Sequence, residues 1–434
     1  MAIISVSPLY VGAWSIPLIS LLILVEETIG RWLFYEARNP VLWSWPSSLP
    51  STILGGMTKY IPTWQIHIPE GLIDLGIGDP SFSLLPLDLL HRAAETEFAR
   101  NDPTFLQYGA EQGDGYFRLA LADFLSKGYG FSVGADGLFV TAGISSGLEL
   151  ICSLFTRPGD VIFVEEPSYF LALRIFTDHN LRIIPIQTDE DGLVPKSLQE
   201  KLVEHRPKFL YTIPTYQNPA GHSLSAERRE HLIELCQEYD FLILADEVYH
   251  FLSYTGQPPQ SFAAYAGVEN VISLGSFSKI LAPGLRLGWL QAHPEKIRCF
   301  NEYGLLKSGG GMNPFTSAIV RNMLETGDLE KNIAHLKDVY RSRLTVMDAA
   351  LHRYLPQVTY TVPQGGYFFW VRLPDGVDAL RLQEKAGAVK VGFRPGVRFS
   401  SQGGLSDYLR LCFAFYGPDE IEQGVMRLGQ CLAD

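Results

Sequence analysis

The chain has little with which to hold a structural metal or a nucleic acid. Five cysteines, Cys152, Cys236, Cys299, Cys412 and Cys431, are scattered along its 434 residues. None forms a CxxC pair or a Cys/His ligand spacing, so no metal site is expected, and the thiols read as reduced, packed side chains of a cytoplasmic protein. No basic run stands out, and 35 Lys and Arg face 47 Asp and Glu, for a net charge of −12. A nucleic-acid partner is therefore not expected. There is no internal repeat, low-complexity tract or long Gly/Ser linker, which sets aside solenoids and tethers. With 47% hydrophobic and 19% charged residues, the chain can fill a large core.

A further absence lies at the N-terminus. Residues 1–25, MAIISVSPLYVGAWSIPLISLLILV, carry no charged side chain, and their length would span a bilayer. They lack the basic region of a secretory signal, and Pro8 and Pro17 interrupt any helix. Glu26 and Glu27 follow at once, so flanking charge sets no orientation. Three readings stay open: a membrane anchor, an apolar extension packed on the rest, or a start site placed too far upstream. Ordinary soluble patterning begins at Met57.

From about residue 137, strands and helices alternate. GLFVTA, DVIFVEEP, RIIPIQ, KFLYTIP, FLILADE, NVISLGSF and LRLGWLQA read as strands, and SSGLELICSLF, YFLALRIFTDHN and SAERREHLIELCQEYD as helices. Continuous apolar runs separated by helices predict a mostly parallel sheet covered on both faces. Helices dominate from 294 to 352. YFFWVRL, a helical DALRLQEKAG, GVRFS, YLRLCFAF and a helix from Pro418 then suggest a separate layer. The fold class is α/β: a large domain with a mostly parallel sheet flanked by helices, plus a small α+β domain.

Ligands of such sheets bind beyond the carboxyl ends of the strands, and the chain places polar residues there repeatedly. TAGISSG joins a strand to a helix, where backbone N–H groups and the hydroxyls of Ser145 and Ser146 suit a phosphate or, equally, an ordinary helix start. EEPSYF presents Tyr169, an aromatic that stacks on a flat ring or caps the core. Asn218 precedes Pro219 in a turn. Asp246 ends the very apolar FLILAD, where a carboxylate needs a partner, and Tyr249 lies three residues on. SLGSFSKILAPGLRLGWL sets Lys279 between serines at a strand end, with Arg286 after a Pro-Gly turn. An amine, an anion cradle, a buried acid and a ring platform are together what pyridoxal phosphate requires.

From about residue 70 onward, QYGAEQGDGYFRLALADFL, TAGISSGLEL, EEPSYF, NPAG, DEVY and SFSKILAPGLRLGW follow in order. In these motifs the chain resembles the fold-type I pyridoxal-phosphate aminotransferases of class I/II, most of all the 2-aminoadipate, aromatic and kynurenine branch. The resemblance implies a transaminase that passes an amino group from an L-amino acid to a 2-oxo acid, 2-oxoglutarate by family habit, in ping-pong fashion. It implies Lys279 as the Schiff-base lysine and proton shuttle, Asp246 on the pyridine nitrogen, Asn218 and Tyr249 on the ring's phenolic oxygen, and Tyr169 stacked on the ring. Ser276, Ser278, Arg286 and the turn Gly143, Ile144 and Ser145 take the phosphate. Tyr108 reaches the phosphate of a neighbouring subunit, which implies a homodimer with shared sites. Arg410, with Asn218, grips the substrate carboxylate, and Gly78 belongs to the segment over the substrate. Residues 57–100 then contribute to the small domain, 101–314 form the cofactor domain, and 315–434 supply linking helices and the rest of the small domain. Residues 1–56 match nothing in the family and are expected to be dispensable for chemistry. Two motifs depart from the usual pattern: ISSG replaces a polar run with two glutamines, and GIGDP replaces a glycine pair before proline. A carbon–sulfur lyase on the same fold and a non-catalytic ligand-sensing regulator are the alternatives.

Overall fold

The computed structural model describes residues 65–433. The apolar stretch 1–25 and the whole extension to residue 56 lie outside the described residues. Among those described, no helix is long and apolar enough to cross a membrane.

The described residues form fourteen strands: β1 Ile73–Asp74, β2 Leu138–Thr141, β3 Val161–Glu166, β4 Arg182–Asp189, β5 Gly192–Leu193, β6 Phe209–Thr212, β7 Leu242–Asp246, β8 Val271–Ser276, β9 Gly288–Ala292, β10 Thr359–Tyr360, β11 Phe368–Arg372, β12 Val391–Gly392, β13 Arg394–Pro395 and β14 Tyr408–Cys412. Eight of them make one sheet in the order β2-β9-β8-β7-β6-β3-β4-β5. The pairs β4–β3–β6–β7–β8 are parallel, whereas β9 runs against both β8 and β2, and β5 against β4. The central strands are buried along their length. That explains why they read as unbroken apolar runs: helices cover both faces, so no alternation is imposed.

Connections between the parallel strands are helical. Ile144–Phe155 follows β2, Phe170–Asp178 follows β3, and Ala226–Tyr239 follows β6. The last begins at Ser225, whose hydroxyl accepts from the Arg228 N–H. It turns Leu232, Ile233, Leu235 and Cys236 into a core shared with Leu210, Ile243 and Val271 and stops where Asp240 takes a left-handed φ of 52°. Strand order reverses between β3 and β6: β4 leaves to one side, β7 and β8 to the other. Ligands of open parallel sheets sit at such a reversal, beyond the strand ends.

A second sheet, β10-β11-β14-β13, is antiparallel throughout. The helix Asp328–Tyr354 packs along Pro418–Ala433 beside it. β1 pairs in parallel with β12, Ile73 opposite Val391, so a segment before residue 80 joins strands from beyond residue 390. GVRFS is not an extended strand. Gly396–Phe399 closes as one 3-10 turn after the short β13. Strand β14 also differs from a half-buried one. Leu409, Leu411 and Phe413 are buried on one face, and Arg410 and Cys412 are equally buried on the other.

Candidate active site

The carboxyl ends of β2, β3, β6, β7 and β8 lie along one edge, and most of the residues singled out in the sequence stand on or just past it. Ser276 is the last residue of β8. Its hydroxyl donates to Ser278 Oγ at 2.9 Å and accepts from the Ser278 N–H at 3.1 Å. A 3-10 turn, Pro283–Leu285, then leaves Arg286 at φ 47°, a left-handed conformation uncommon for a bulky residue. Asn313 donates its amide to the Arg286 carbonyl and supports that backbone. The guanidinium lies along the neighbouring turn, donating to the Ala142 carbonyl at 3.1 Å. It pairs with no glutamate.

Gly143 precedes the helix Ile144–Phe155 with φ 87°, and a Cβ there would stand 2.9 Å from Arg286 Nη2. No side chain caps this helix start. The amides of Ile144 and Ser145 are orphan donors of a helix N-terminus, beside an arginine and two serine hydroxyls. Four separate features therefore offer positive potential and donors at one place.

Asp246 ends β7 and is 3% exposed. Tyr211 donates to its Oδ2 at 2.8 Å, and the Val248 N–H to its Oδ1 at 3.3 Å. Among the described residues no cation lies within ion-pair distance. Burial pushes the carboxyl up to about 6, against the two hydrogen bonds that favour the ion. Tyr169 stands at the start of the helix Phe170–Asp178, and its hydroxyl is raised to about 12, first by burial and then by the Asp246 charge. Tyr249 is 2% exposed and meets Phe368 edge-on, with ring centroids 5.9 Å apart. Its hydroxyl is likewise held well above the ordinary range by burial.

Lys279 follows the serines. Its amine donates to the Gly78 carbonyl at 2.8 Å and reaches Asp79 Oδ1 at 3.3 Å. The segment GIGDP thus lies directly over the lysine. Asp79 was not foreseen, because a lone carboxylate in a Gly-Pro turn carries no sequence signal.

Arg410, in the middle of β14, is 3% exposed. Its Nη1 donates to Asn218 Oδ1 at 2.7 Å and its Nη2 to the Gly76 carbonyl at 2.8 Å. The guanidinium lies between two rings, 4.0 Å from the Phe368 centroid and 4.9 Å from that of Phe399. Buried Nε has no partner, no carboxylate pairs with the group, and burial draws it down to about 10. A solvated strand charge is excluded. Arg394, opposite Arg410 in the ladder, is neutralised by Asp74 through two contacts of 2.9 Å. Phe368, Phe399 and Gly76 were not foreseen either, since only the tertiary fold brings them to Arg410.

Tyr108 stands apart from this assembly: its side chain is 84% exposed. Among the described residues no cluster of His, Cys, Asp and Glu could hold a metal ion.

The residues present fit a phosphorylated, cationic, flat aromatic aldehyde. There is an anion cradle, a buried carboxylate without a cation, a stacking tyrosine and an amine at hand. Comparison with known proteins agrees. The profile of the family "Aminotransferase class I and II" matches residues 70–428. Aromatic-amino-acid aminotransferase 1 of Thermococcus litoralis is 34% identical over 371 residues, 84% of this chain and 88% of that one. Kynurenine aminotransferase of Pyrococcus horikoshii, solved with PMP, superposes with a TM-score of 0.80 at 34% identity, covering 84% and 91% of the two chains. The α-aminoadipate aminotransferase of Thermus thermophilus, solved with N-(5'-phosphopyridoxyl)-L-leucine, gives 0.77 at 30% identity, covering 84% and 92%. The fold is that of the fold-type I pyridoxal-phosphate transferases. Within them, the chain belongs to the class I and II aminotransferases; it is an enzyme that moves amino groups between amino acids and 2-oxo acids with pyridoxal phosphate as cofactor.

Proposed function

We propose that amino-group transfer runs at the carboxyl edge of the large sheet in two alternating half-reactions, with an L-amino acid as donor, 2-oxoglutarate as acceptor and Lys279 as the residue that carries the cofactor and moves the proton. One observation carries this reading. A carboxylate, Asp246, and a guanidinium, Arg410, are both 3% exposed, and neither has an ion partner among the described residues. Buried charges without partners are costly, so each is built for a charge that arrives with a ligand.

When bound, pyridoxal phosphate supplies an aldehyde for amines and a protonated pyridine ring that withdraws electrons. Ser276, Ser278, Arg286 and the N–H groups of Gly143, Ile144 and Ser145 would hold its phosphate. Asp246 would accept from its ring nitrogen. Tyr169 would pack on the ring face, and Tyr249 would donate to the phenolic oxygen. Asn218 gives its Oδ1 to Arg410, which leaves its amide N–H for the same phenolic oxygen. Arg410 exchanges its contact with the Gly76 carbonyl for the substrate α-carboxylate, held in a planar fork. Gly78, whose carbonyl holds the Lys279 amine, lies over the substrate and limits water. Lys279 would take the proton from the substrate α-carbon and hold it on its amine.

A second copy of the chain completes each site in this reading. Tyr108 lies beside exposed Leu106, and Phe98, Phe105 and Phe315 form a ring cluster with centroids 5.7–6.3 Å apart, Phe98 and Phe315 being 57% and 44% exposed. An apolar face of this kind suits a protein interface. From there Tyr108 reaches the neighbour's phosphate cradle. The small domain is taken as residues 57–100 and 315–434, of which 65–100 and 315–433 are described, around a cofactor domain of 101–314, as the β1–β12 pairing supports.

The test is a panel of amino acids offered with 2-oxoglutarate, followed by glutamate release and borohydride fixation of the cofactor. Glutamate should form, and the label should lie in the peptide containing Lys279. Ammonia and pyruvate without glutamate would indicate a carbon–sulfur lyase, and a label on another lysine would overturn the assignment.

A further inference from the structure

Tyr211 sits in the middle of the buried strand β6, with no solvent exposure. Its ring packs edge-on against Phe176 with centroids 5.4 Å apart. Nothing in its strand marks it as more than a core aromatic. Yet its hydroxyl is one of only two donors to the Asp246 carboxylate among the described residues, and the closer one, at 2.8 Å against 3.3 Å for the Val248 N–H. A phenol facing a carboxylate donates, and its own ionisation is suppressed by burial and by the Asp246 charge. The bond is charge-assisted, so it favours the ionised carboxylate over the neutral acid.

We propose that Tyr211 is a positioning residue of the cofactor site: its hydroxyl fixes the orientation and the charge of the Asp246 carboxylate, and through it the protonation of the cofactor's pyridine nitrogen. The proposal rests on the assignment of Asp246 to that nitrogen. The physical need is specific. Burial alone drives this carboxyl toward its neutral form, and a neutral acid does not hold a protonated ring. The other groups that act on Asp246 are Glu247 beside it, Lys279 after β8, Tyr169 after β3 and Tyr249 past β7. Glu247 opposes the charge and Lys279 favours it. Of all these, only Tyr211 donates a side-chain hydrogen bond to Asp246.

The test uses the full chain, stripped of cofactor and titrated with pyridoxal phosphate carrying 15N in its ring, from pH 5 to 9. Wild-type affinity should fall as the pH drops through the Asp246 transition. In Tyr211→Phe, loss of the charged hydrogen bond should move the transition up by about one to two pH units. Affinity at pH 7 should then weaken about two- to tenfold. The 15N signal at pH 7 should move toward the unprotonated ring. In an Asp246→Asn background the same replacement should add almost nothing, since the charge it serves is gone. A packing role would instead weaken binding equally at every pH and in both backgrounds, and that result overturns the proposal. If Tyr211→Phe does not fold, 3-fluorotyrosine placed at position 211 keeps the shape with a stronger donor and must move the transition down; an unmoved transition is equally fatal. Failure of the wild type to bind pyridoxal phosphate at all would reject the cofactor-site reading itself.

Discussion

Asp246 and Arg410 are buried to the same degree on two different sheets, and they meet the cost of burial differently. The carboxylate ends a parallel strand of the large sheet, with one hydroxyl and one amide as donors. It can relieve its burial by taking a proton, and its transition near 6 lies within reach of physiological pH. The guanidinium lies mid-strand in the small antiparallel sheet, between Phe368 and Phe399. Although lowered to about 10 by burial, it stays charged at neutral pH. Its relief comes from two ring faces, an amide oxygen and a carbonyl. The large-sheet end is thus tunable, and the small-sheet end is a fixed cation that waits for an anion.

The largest effect that would test this division is expected at neither charge but at Lys279, the amine proposed to serve both half-reactions. Lys279→Ala should lower turnover by about 10⁴-fold, the upper range for loss of a positioned acid–base group, and borohydride should no longer fix cofactor to the chain. Retained turnover would mean that the contact with Gly78 and Asp79 is structural only.

Asp246→Asn keeps the shape and removes the charge. Turnover should fall by about 10²–10³-fold, the scale of one lost electrostatic contact in a closed site, while Arg410-dependent substrate affinity is little changed. Stopped-flow measurement of each half-reaction would check this. A loss confined to substrate binding would break the assignment of roles between the two sheets.

Arg410→Lys should preserve cofactor absorbance and lower kcat/KM by about 2–4 kcal/mol, because an ammonium cannot reproduce the fork in a desolvated site. Donor and acceptor should suffer alike, since both present an α-carboxylate. A defect with only one of them would show that Arg410 reads a side chain.

The smallest effect concerns stability, and its sign sharpens the comparison most. The Asp246 carboxyl is raised from 3.8 to about 6 in the folded chain. Between these values the folded state binds more protons than the unfolded one, so stability rises as pH falls through that window and is lower above it. In cofactor-free protein, Asp246→Asn should therefore gain about 2–3 kcal/mol at pH 8 and about half as much at pH 5, where the folded side chain is neutral but the unfolded one is still charged. Thermal melts at the two pH values would check it. Glu165, raised to about 7 by burial, adds a background slope of the same sign that is common to both proteins. A variant that is destabilised at pH 8 would show that the folded chain neutralises Asp246 internally.

How much of this the chain announces depends on distance along it. Strand β7 is legible because five consecutive residues are buried on both faces by helices that precede and follow it. Ser276, Ser278, Lys279 and Arg286 are legible as a group because one strand end and one turn place them. The turn at Gly143 is legible because only a residue free of a Cβ fits against Arg286. Arg410 is visible as a charge in an apolar strand, but its burial is not, because the second face of β14 is covered by residues from elsewhere. Tyr211 and Phe368 look like core, and the sequence offers no sign that they face a charge.

By itself, then, the sequence determined the alternation of strands and helices, the parallel large sheet and the set of polar residues at its edge, because burial pattern and turn chemistry act over a few neighbouring residues. Tertiary structure alone decided that the Gly76–Asp79 segment reaches both Lys279 and Arg410, across 201 residues of chain in one contact and 334 in another. It alone decided that Tyr211 serves Asp246, and that one buried charge can be discharged while the other cannot. Those outcomes depend on which groups the packed sheets exclude from water, a property of the whole fold that no local stretch of residues contains.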